Sequence, residues 1–355
     1  MISSQIIDTL ITAATTAPTV DNCQPWQFIT RDDGLDIHLD RQRAEFFGDY
    51  CYTAAYATIG AAVQNMVIAA SNLNLACEVT SFPSPEKPVA RITFRPSLTT
   101  TDQLFNAILQ RCTNRRPYRN EKLDEPTAVA LKQAVTVPGA TLHLFDDHTS
   151  MKQLFLLAAK IDSIIFNHPQ LHANLFRWLR WNDGDVQETR DGLPIGSLEL
   201  DPFQRLFFRL MSSWPLLRTL NLIGINRLVG LLNSSLLMKS AALGILVMDG
   251  SSNQHYFAGG RCMERIWLTA TAQGVAVHPF GGLPFILTRM LRGGKEGFSD
   301  QQYRLLKNTY ARLQEIIPIT PANALIILFR FGYADPPTQR SLRRPVSDVL
   351  QTFNG

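Results

Sequence analysis

The sequence predicts an internally duplicated α+β protein with mixed, mostly antiparallel sheets flanked by helices. Two helix-like stretches, 200 residues apart, match in register. Segments typical of helices and of strands are interleaved, but without the regular β-α-β alternation of a doubly wound sheet. At 355 residues, with 45% apolar and 18% charged residues, the chain can bury a sizeable core.

The internal repeat aligns residues 60–70 with residues 260–270. A glycine opens both stretches, Gln64 matches Glu264, and the apolar positions and the final alanine fall in register. A chance match between two buried helices is the alternative interpretation. We predict a first copy over 1–100 and a second copy over 101–355, together forming one intertwined globular unit.

The elements of the first copy follow from hydrophobic spacing. Residues 4–15 have apolar side chains at helical intervals, and an Asp-Asp-Gly turn at 32–34 separates two strand-like runs. The uncharged stretch 50–77 contains too many amide side chains for a bilayer span, so we expect a core helix over 53–73. The predicted strands are 26–30, 35–39, 76–80 and 89–95.

The second copy repeats this order with additions. Aligning 131–135 with 10–14 matches the strand 140–145 to the first strand of the chain. The block 183–238 has no counterpart in the first copy, so we interpret it as an insertion. It is apolar but contains arginines, and a lid, a membrane-surface element or packing between the copies would each explain it. The other predicted elements are helices 102–111, 125–135, 150–182, 253–273 and 299–315 and strands 242–248 and 324–330.

Charge and cysteine usage exclude several classes of function. A net charge of only +4 gives no electrostatic case for nucleic acid. Five dispersed cysteines without a C-x-x-C pair, and no signal-peptide pattern, indicate a cytoplasmic protein with reduced thiols. His168 and His172 are four residues apart, but Pro169 intervenes and no third ligand is evident, so we expect no metal. We also expect no stable membrane insertion.

Three segments carry a resemblance to a known family. Residues 17–26, with the sequence APTVDNCQPW, resemble the A-P-S-S-x-N-x-Q-P-W segment of the FMN-dependent nitroreductases. The pattern Arg111-x-Thr113-x-Arg115 is similar to the family's R-x-S-x-R segment. Residues 326–333, followed by an R-R-P tail, are similar to its closing strand and tail. The length, the duplication and residues 191–194 most resemble the internally duplicated Acg-type branch, so that one chain mimics the family homodimer.

This resemblance implies an FMN site shared between the copies. Guanidinium and hydroxyl groups suit a phosphate dianion, and a turn with amide groups suits the flavin ring. The first copy retains the proline-asparagine turn and the second retains the arginine segment, so we expect one FMN per chain. A stretch over 277–282 stands where the family places a Glu-Gly pair at the flavin edge. The predicted cofactor-binding residues are Pro18, Thr19, Asn22, Arg111, Thr113, Arg115, His278, Gly281, Arg343 and Arg344.

The function that this resemblance implies is an oxidoreductase with NAD(P)H as co-substrate. Hydride would pass to the flavin, and electrons to a nitroaromatic, a quinone or a similar small acceptor. No catalytic side chain is predicted, and the covalent pairing of the copies implies a monomer. The alternatives are an FMN-sequestering protein with a lid over the flavin and a binding protein without flavin.

Overall fold

The computed structural model describes residues 3–84, 88–98 and 100–351. Within these ranges, the helices are α1 Ser4–Thr15, α2 Arg41–Ala44, α3 Thr53–Asn72, α4 Ala107–Gln110, α5 Glu125–Gln133, α6 His148–Ile165, α7 Pro169–Arg177, α8 Asp183–Thr189, α9 Pro202–Met211, α10 Trp214–Leu220, α11 Ile225–Ser234, α12 Asn253–Ala272, α13 Gly282–Gly293, α14 Asp300–Gln314 and α15 Val346–Val349. The strands are β1 Trp26–Arg31, β2 Gly34–Leu39, β3 Leu75–Ser81, β4 Ala90–Pro96, β5 Ala140–Phe145, β6 Leu179–Arg180, β7 Leu193–Pro194, β8 Ala242–Met248, β9 Ala276–Phe280, β10 Ala324–Gly332 and β11 Leu350–Gln351.

Two sheets with the same strand order form the framework. The first has the order β11-β1-β2-β4-β3, and the second has the order β5-β8-β10-β9. If β1, β2, β3 and β4 are matched in chain order with β5, β8, β9 and β10, the two orders are identical. Every pair within these two sets of four strands is antiparallel. The predicted α+β class and the internal duplication are therefore confirmed, whereas the boundary at residue 100 stays a prediction.

The two copies meet through α3 and α12, whose bounds differ by an offset of 200 residues at both ends. A Cβ added to Gly60 would lie 2.0 Å from the carbonyl oxygen of Phe257. A Cβ added to Gly260 would lie 1.9 Å from the carbonyl oxygen of Ala57. Position 60 corresponds to 260, and position 57 corresponds to 257, so exchanging the two copies turns the first contact into the second. Such reciprocal contacts are the mark of a two-fold interface. The repeated glycines are therefore where the two helix backbones touch.

The C-terminal segment crosses from the second copy to the first. The short strand β11 pairs in parallel with β1, with Phe28 opposite Leu350 and Ile29 opposite Gln351. The segment between β10 and β11 must therefore pass over the junction of the copies. This path brings Arg343 to the end of α1, where it donates to the carbonyl of Thr15.

Three differences between the structure and the predicted elements have a local physical cause. Helix 102–111 shrinks to α4, because the carboxylate of Asp102 accepts from the Leu104 amide and pairs with Arg265, which holds a turn there. Helix 150–182 is broken into α6 and α7, since Pro169 starts a new helix. Strand β9 and helix α13 were not predicted, because the Pro279 to Pro284 stretch is rich in proline and glycine and favours a turn.

The apolar helix in the first copy is a core element, as predicted. Among the described residues, the segment Tyr50–Asn72 has the length and apolarity of a membrane span, but 94% of that window is buried inside the protein. The helix packs mainly against α12 and α1.

Two helices of the insertion, α10 and α11, pack against α7 and α6. Helix α11 lies against α6, where a Cβ on Gly230 would come within 2.5 Å of the carbonyl oxygen of Ala159. A separate small core lies beneath α9, α10 and α11 and consists of Phe166, Met211, Leu217 and Val229.

The glycine contact between α3 and α12 is testable by Gly60→Ala. In an open helix this change would stabilise the protein by up to about 1 kcal/mol through helix propensity. Here the new methyl group meets a backbone carbonyl, so we expect the free energy of unfolding to fall by about 1–3 kcal/mol. Urea denaturation measures this difference.

Gly184→Ala, in α8, is the matched control, because its new Cβ would approach only the end of the Asn182 side chain. We expect its free energy of unfolding to stay the same or to rise by up to about 1 kcal/mol. A stabilising effect of Gly60→Ala would contradict the close approach of the two helices.

Candidate functional site

A cavity of about 390 Å³ is lined by residues from both halves of the chain. This volume falls within the range of small-molecule sites, about 300–1,000 Å³. Asn22 and Arg111, which are 89 positions apart in the sequence, both line it. Eight of the ten predicted residues are among its lining: Pro18, Thr19, Asn22, Arg111, Thr113, Arg115, Gly281 and Arg343.

The turn after α1 forms one wall in an unusual backbone conformation. Asp21, Asn22 and Gln24 have φ values of 49°, 57° and 51°, in a left-handed region that residues other than glycine rarely occupy. The Asn22 amide donates to the carbonyls of Gly192 and Leu342, at 2.9 and 3.0 Å. The insertion and the C-terminal segment therefore both hold this turn in place.

Gln24, which was not among the predicted site residues, also holds this turn in place through its side chain. Its side-chain amide donates to the carbonyl of Arg190 at 2.9 Å and accepts from the backbone amide of Arg344 at 2.8 Å. The residue is fully buried. Its signal was present in the Q-P-W part of the motif, but the sequence does not reveal which segments it joins.

Arg111, which is buried, and Arg343, which is half-buried, converge on the C-terminal end of α1. Arg343 donates through Nε to the carbonyl of Thr15 at 2.7 Å and through Nη1 to Oδ1 of Asn22 at 2.8 Å. Arg111 donates through Nη2 to the carbonyl of Thr16 at 2.5 Å. Because a helix C-terminus carries partial negative charge, both guanidinium groups are stabilised there. They fix the turn as well as lining the cavity.

Glu264 is a fully buried carboxylate beside these arginines. The Nε of Arg111 lies 3.3 Å from its Oε1, and the Arg111 guanidinium also lies 4.5 Å from the Trp267 ring centre. Burial raises the pKa of Glu264 to about 7, although Arg111 and Arg343 oppose the shift. In the sequence, Glu264 stands out only as the repeat partner of Gln64.

A second acidic group, Asp21, lies on the cavity wall. Its Oδ2 accepts from the amide of Asn174 at 3.1 Å. Burial raises its pKa to about 6, and the nearby Arg115 opposes that shift. The carboxylate occupies the unspecified position of the A-P-S-S-x-N pattern, so the motif gave no reason to select it.

The cationic groups outnumber the acidic ones around the cavity. Arg111, Arg115, Arg340 and Arg343 all line it, whereas Asp21 and the adjacent Glu264 are the carboxylates described above. Arg115 donates through Nη1 to the carbonyl of Ser197, at 3.2 Å. A surplus of guanidinium in a partly buried pocket favours an anionic ligand.

Two predicted residues are not part of this lining. His278 is buried in β9, and its ring lies 4.5 Å from that of Phe280. Burial lowers the pKa of His278 well below its usual value, so its ring is neutral. Its neighbour Pro279 lines the cavity instead, as the alternation of a strand explains. The Arg344 guanidinium donates to the carbonyl of Asp348 at 2.8 Å.

Helices α12 and α13 add an apolar wall that the sequence analysis did not predict. Met263 and Trp267 come from α12, and Phe285 and Ile286 from α13. The insertion contributes Leu193 and Ser197, whereas no residue of α9, α10 or α11 is among the lining. Arg111 and the adjoining motif thus supply the polar side, and these helices supply the apolar side.

The comparisons with known proteins agree with the sequence resemblance. An uncharacterized protein of Mycobacterium tuberculosis (strain CDC 1551 / Oshkosh) is 26% identical over 341 residues, which cover 94% of this chain and 46% of that protein. A protein of the same organism, provisionally named NAD(P)H nitroreductase acg, is 27% identical over 204 residues, which cover 56% of this chain and 60% of that protein. The chain thus spans about half the length of the relatives it matches. The second relative confirms the resemblance to nitroreductases and to the Acg type.

No family profile matches the chain. A nitroreductase-like family protein from Bacillus cereus covers 73% of this chain and all of its own, at 13% identity and a TM-score of 0.39. An iodotyrosine deiodinase bound to FMN and 3-iodo-L-tyrosine covers 68% of this chain and 95% of its own, at 11% identity and a TM-score of 0.38. The fold therefore rests on the strand order and not on these superpositions.

The raised pKa of Glu264 makes a pH-dependent prediction. Its value in the folded chain, about 7, lies above its ordinary value of 4.5, so folding takes up a proton between these limits. The resulting stabilisation is complete below about pH 4.5 and is lost as the pH rises through about 7. Relative to the unmodified chain, Glu264→Gln should gain on the order of 1–3 kcal/mol in free energy of unfolding between about pH 5 and about pH 8.

Denaturation in urea at several pH values measures that difference. A flat difference for Glu264→Gln would contradict the burial of this carboxylate beside Arg111.

Proposed function

We propose that the chain is an FMN-binding oxidoreductase of the nitroreductase type, with NAD(P)H as the co-substrate. The single observation that carries the proposal is the shared cavity, in which the Pro18–Asn22 turn meets Arg111, Thr113 and Arg115. These segments come from different parts of the duplicated chain. Their meeting supports one composite site and therefore one FMN per chain.

The residues around the cavity fit the chemistry of FMN. Arg115, Arg340 and the Thr113 hydroxyl would hold the phosphate, because guanidinium groups form charge-assisted hydrogen bonds with phosphate oxygens. The apolar wall of Met263, Trp267 and other lining residues suits a flat aromatic ring. When bound, FMN would accept a hydride from NAD(P)H and pass electrons to a nitroaromatic, quinone or similar small acceptor.

The protein's own side chains hold the turn at the cavity in place and supply a group that can exchange a proton. Asn22 and Arg343 hold the turn in place. Gln24 connects the turn to the backbone of Arg190 and to the backbone of Arg344. Asp21, with a pKa of about 6, is the acidic side chain in the lining that can exchange a proton near neutral pH. His278, which is neutral and outside the cavity lining, adds no charge next to the site.

We further propose that the chain acts as a monomer in the cytoplasm. The reciprocal contacts of Gly60 and Gly260 occupy the two-fold interface within one chain. The division into copies over 1–100 and 101–355 belongs to the same proposal. A partner subunit would then be unnecessary for completing the site.

FMN titration of the apoprotein tests the composite site. We expect one FMN per chain, and Arg115→Gln should weaken its affinity about 10- to 100-fold, because a charge-assisted hydrogen bond to the phosphate is lost. Flavin fluorescence quenching gives both the stoichiometry and the dissociation constant. Arg312→Gln, an exposed arginine paired with Glu315, is the control and should leave both unchanged. A stoichiometry near two, or unchanged affinity in Arg115→Gln, would contradict the proposal.

A second function, flavin sequestration with little turnover, is favoured by one observation. The insertion closes against the turn, because the backbone amide of Gly192 donates to the carbonyl of Asn22 and Leu193 and Ser197 line the cavity. Such a cover could retain the flavin and exclude nicotinamide.

Anaerobic mixing of the yellow protein with NADPH or NADH separates the two functions. Rapid loss of the visible flavin absorbance is the result we expect for a reductase. Reduction by dithionite but not by either nicotinamide would instead support sequestration. The same assay on Arg312→Gln controls for nonspecific effects of substitution.

A further inference from the structure

The insertion presents an apolar surface to solvent. We call it the insertion face and define it by nine exposed side chains of α9–α11 and their connections: Phe203, Leu206, Leu210, Leu216, Leu222, Ile223, Leu228, Leu231 and Leu232. Only four other large apolar side chains among the described residues are exposed. Nine exposed large apolar side chains within residues 203–232 are the feature that indicates an interaction site.

The helices of the insertion face have apolar side chains on their exposed sides as well as on their buried sides. In α9, Phe203, Leu206 and Leu210 share one side and are exposed, whereas Met211 enters the small core beneath. Between α10 and α11, Leu222 and Ile223 are 85% and 79% exposed, just before the turn at Gly224. Bulky apolar groups at the tip of a turn are costly in water unless a partner covers them.

Every charged residue of the segment 202–248, which contains the insertion face, is basic. Residues 202–248 contain Arg205, Arg209, Arg218, Arg227 and Lys239, and no aspartate or glutamate between Asp201 and Asp249. All five basic side chains belong to exposed residues. Because the whole chain has a net charge of +4, this segment accounts for all of its positive excess.

We propose that the insertion face docks on the surface of an anionic lipid membrane. Exposed leucine, isoleucine and phenylalanine would enter the headgroup region, and the arginines would contact anionic headgroups. A second copy of this chain is a poorer occupant, because a two-fold contact would bring two sets of like charges together. The proposal does not depend on the proposed redox function.

The geometry indicates a face that lies on the membrane and does not span it. The segments Trp214–Ile223 and Ile225–Lys239 are bent by 94° relative to each other, so they form no continuous span. Helix α11 is also anchored on α6 through the close approach of Gly230 to Ala159. Docking therefore requires no unfolding of the second copy, and no residue of α9, α10 or α11 belongs to the cavity lining.

Vesicle sedimentation with the full chain tests this proposal. We expect binding to vesicles of equal parts phosphatidylglycerol and phosphatidylcholine that is at least about tenfold tighter than binding to phosphatidylcholine alone. Replacing both Leu222 and Ile223 with serine should weaken it about tenfold. Arg218→Gln should weaken it about fivefold and reduce its dependence on salt, since one headgroup contact is lost. Leu98→Ser, at a fully exposed leucine outside the face, is the matched control and should bind normally.

Two results would overturn the proposal. One is equal binding, or no binding, to both vesicle types by a chain whose circular dichroism shows that it is folded. The other is a dimer in light scattering that the Leu222→Ser and Ile223→Ser double variant dissociates, without vesicle binding, since the face would then belong to a second copy.

Discussion

The contact between the α3 and α12 backbones is the constraint on which the rest of the structure depends. Gly60 and Gly260 let the two helices approach until each glycine meets the other helix's carbonyl. Their reciprocity sets the relation between the two sheets, and it brings the turn after α1 opposite the Arg111 segment. Larger side chains at these two positions would separate the copies and open the cavity between them.

Charge then organises the site within that frame. The end of α1 supplies carbonyls that hold Arg111 and Arg343, and the buried Glu264 lies beside them. These groups lie at the junction, so the protein must balance buried charges where its two halves meet. The same arrangement makes the site dependent on the C-terminal segment, which the pairing of β11 with β1 carries across.

Duplication within one chain also permits the copies to diverge. In a homodimer, any insertion is present twice, but here α8–α11 lie between β5 and β8, whereas the matched strands β1 and β2 are joined by a short turn. One end of that block, through Leu193 and Ser197, reaches the cavity, while its helices present apolar and basic groups to solvent. A single chain can therefore have one composite cavity and one distinctive outer face.

The sequence alone determined the α+β class, the repeat, the hairpin at 32–34 and most core elements, because these follow from local spacing and turn residues. Its contiguous motifs also selected Asn22, Arg111 and Arg115, which the structure brings to one cavity. Only the tertiary structure decided that Asp21, Gln24 and Glu264 accompany them, and that the side chains of His278 and Arg344 lie elsewhere. Those outcomes depend on strand alternation, on helix ends and on burial between distant segments, none of which local sequence encodes.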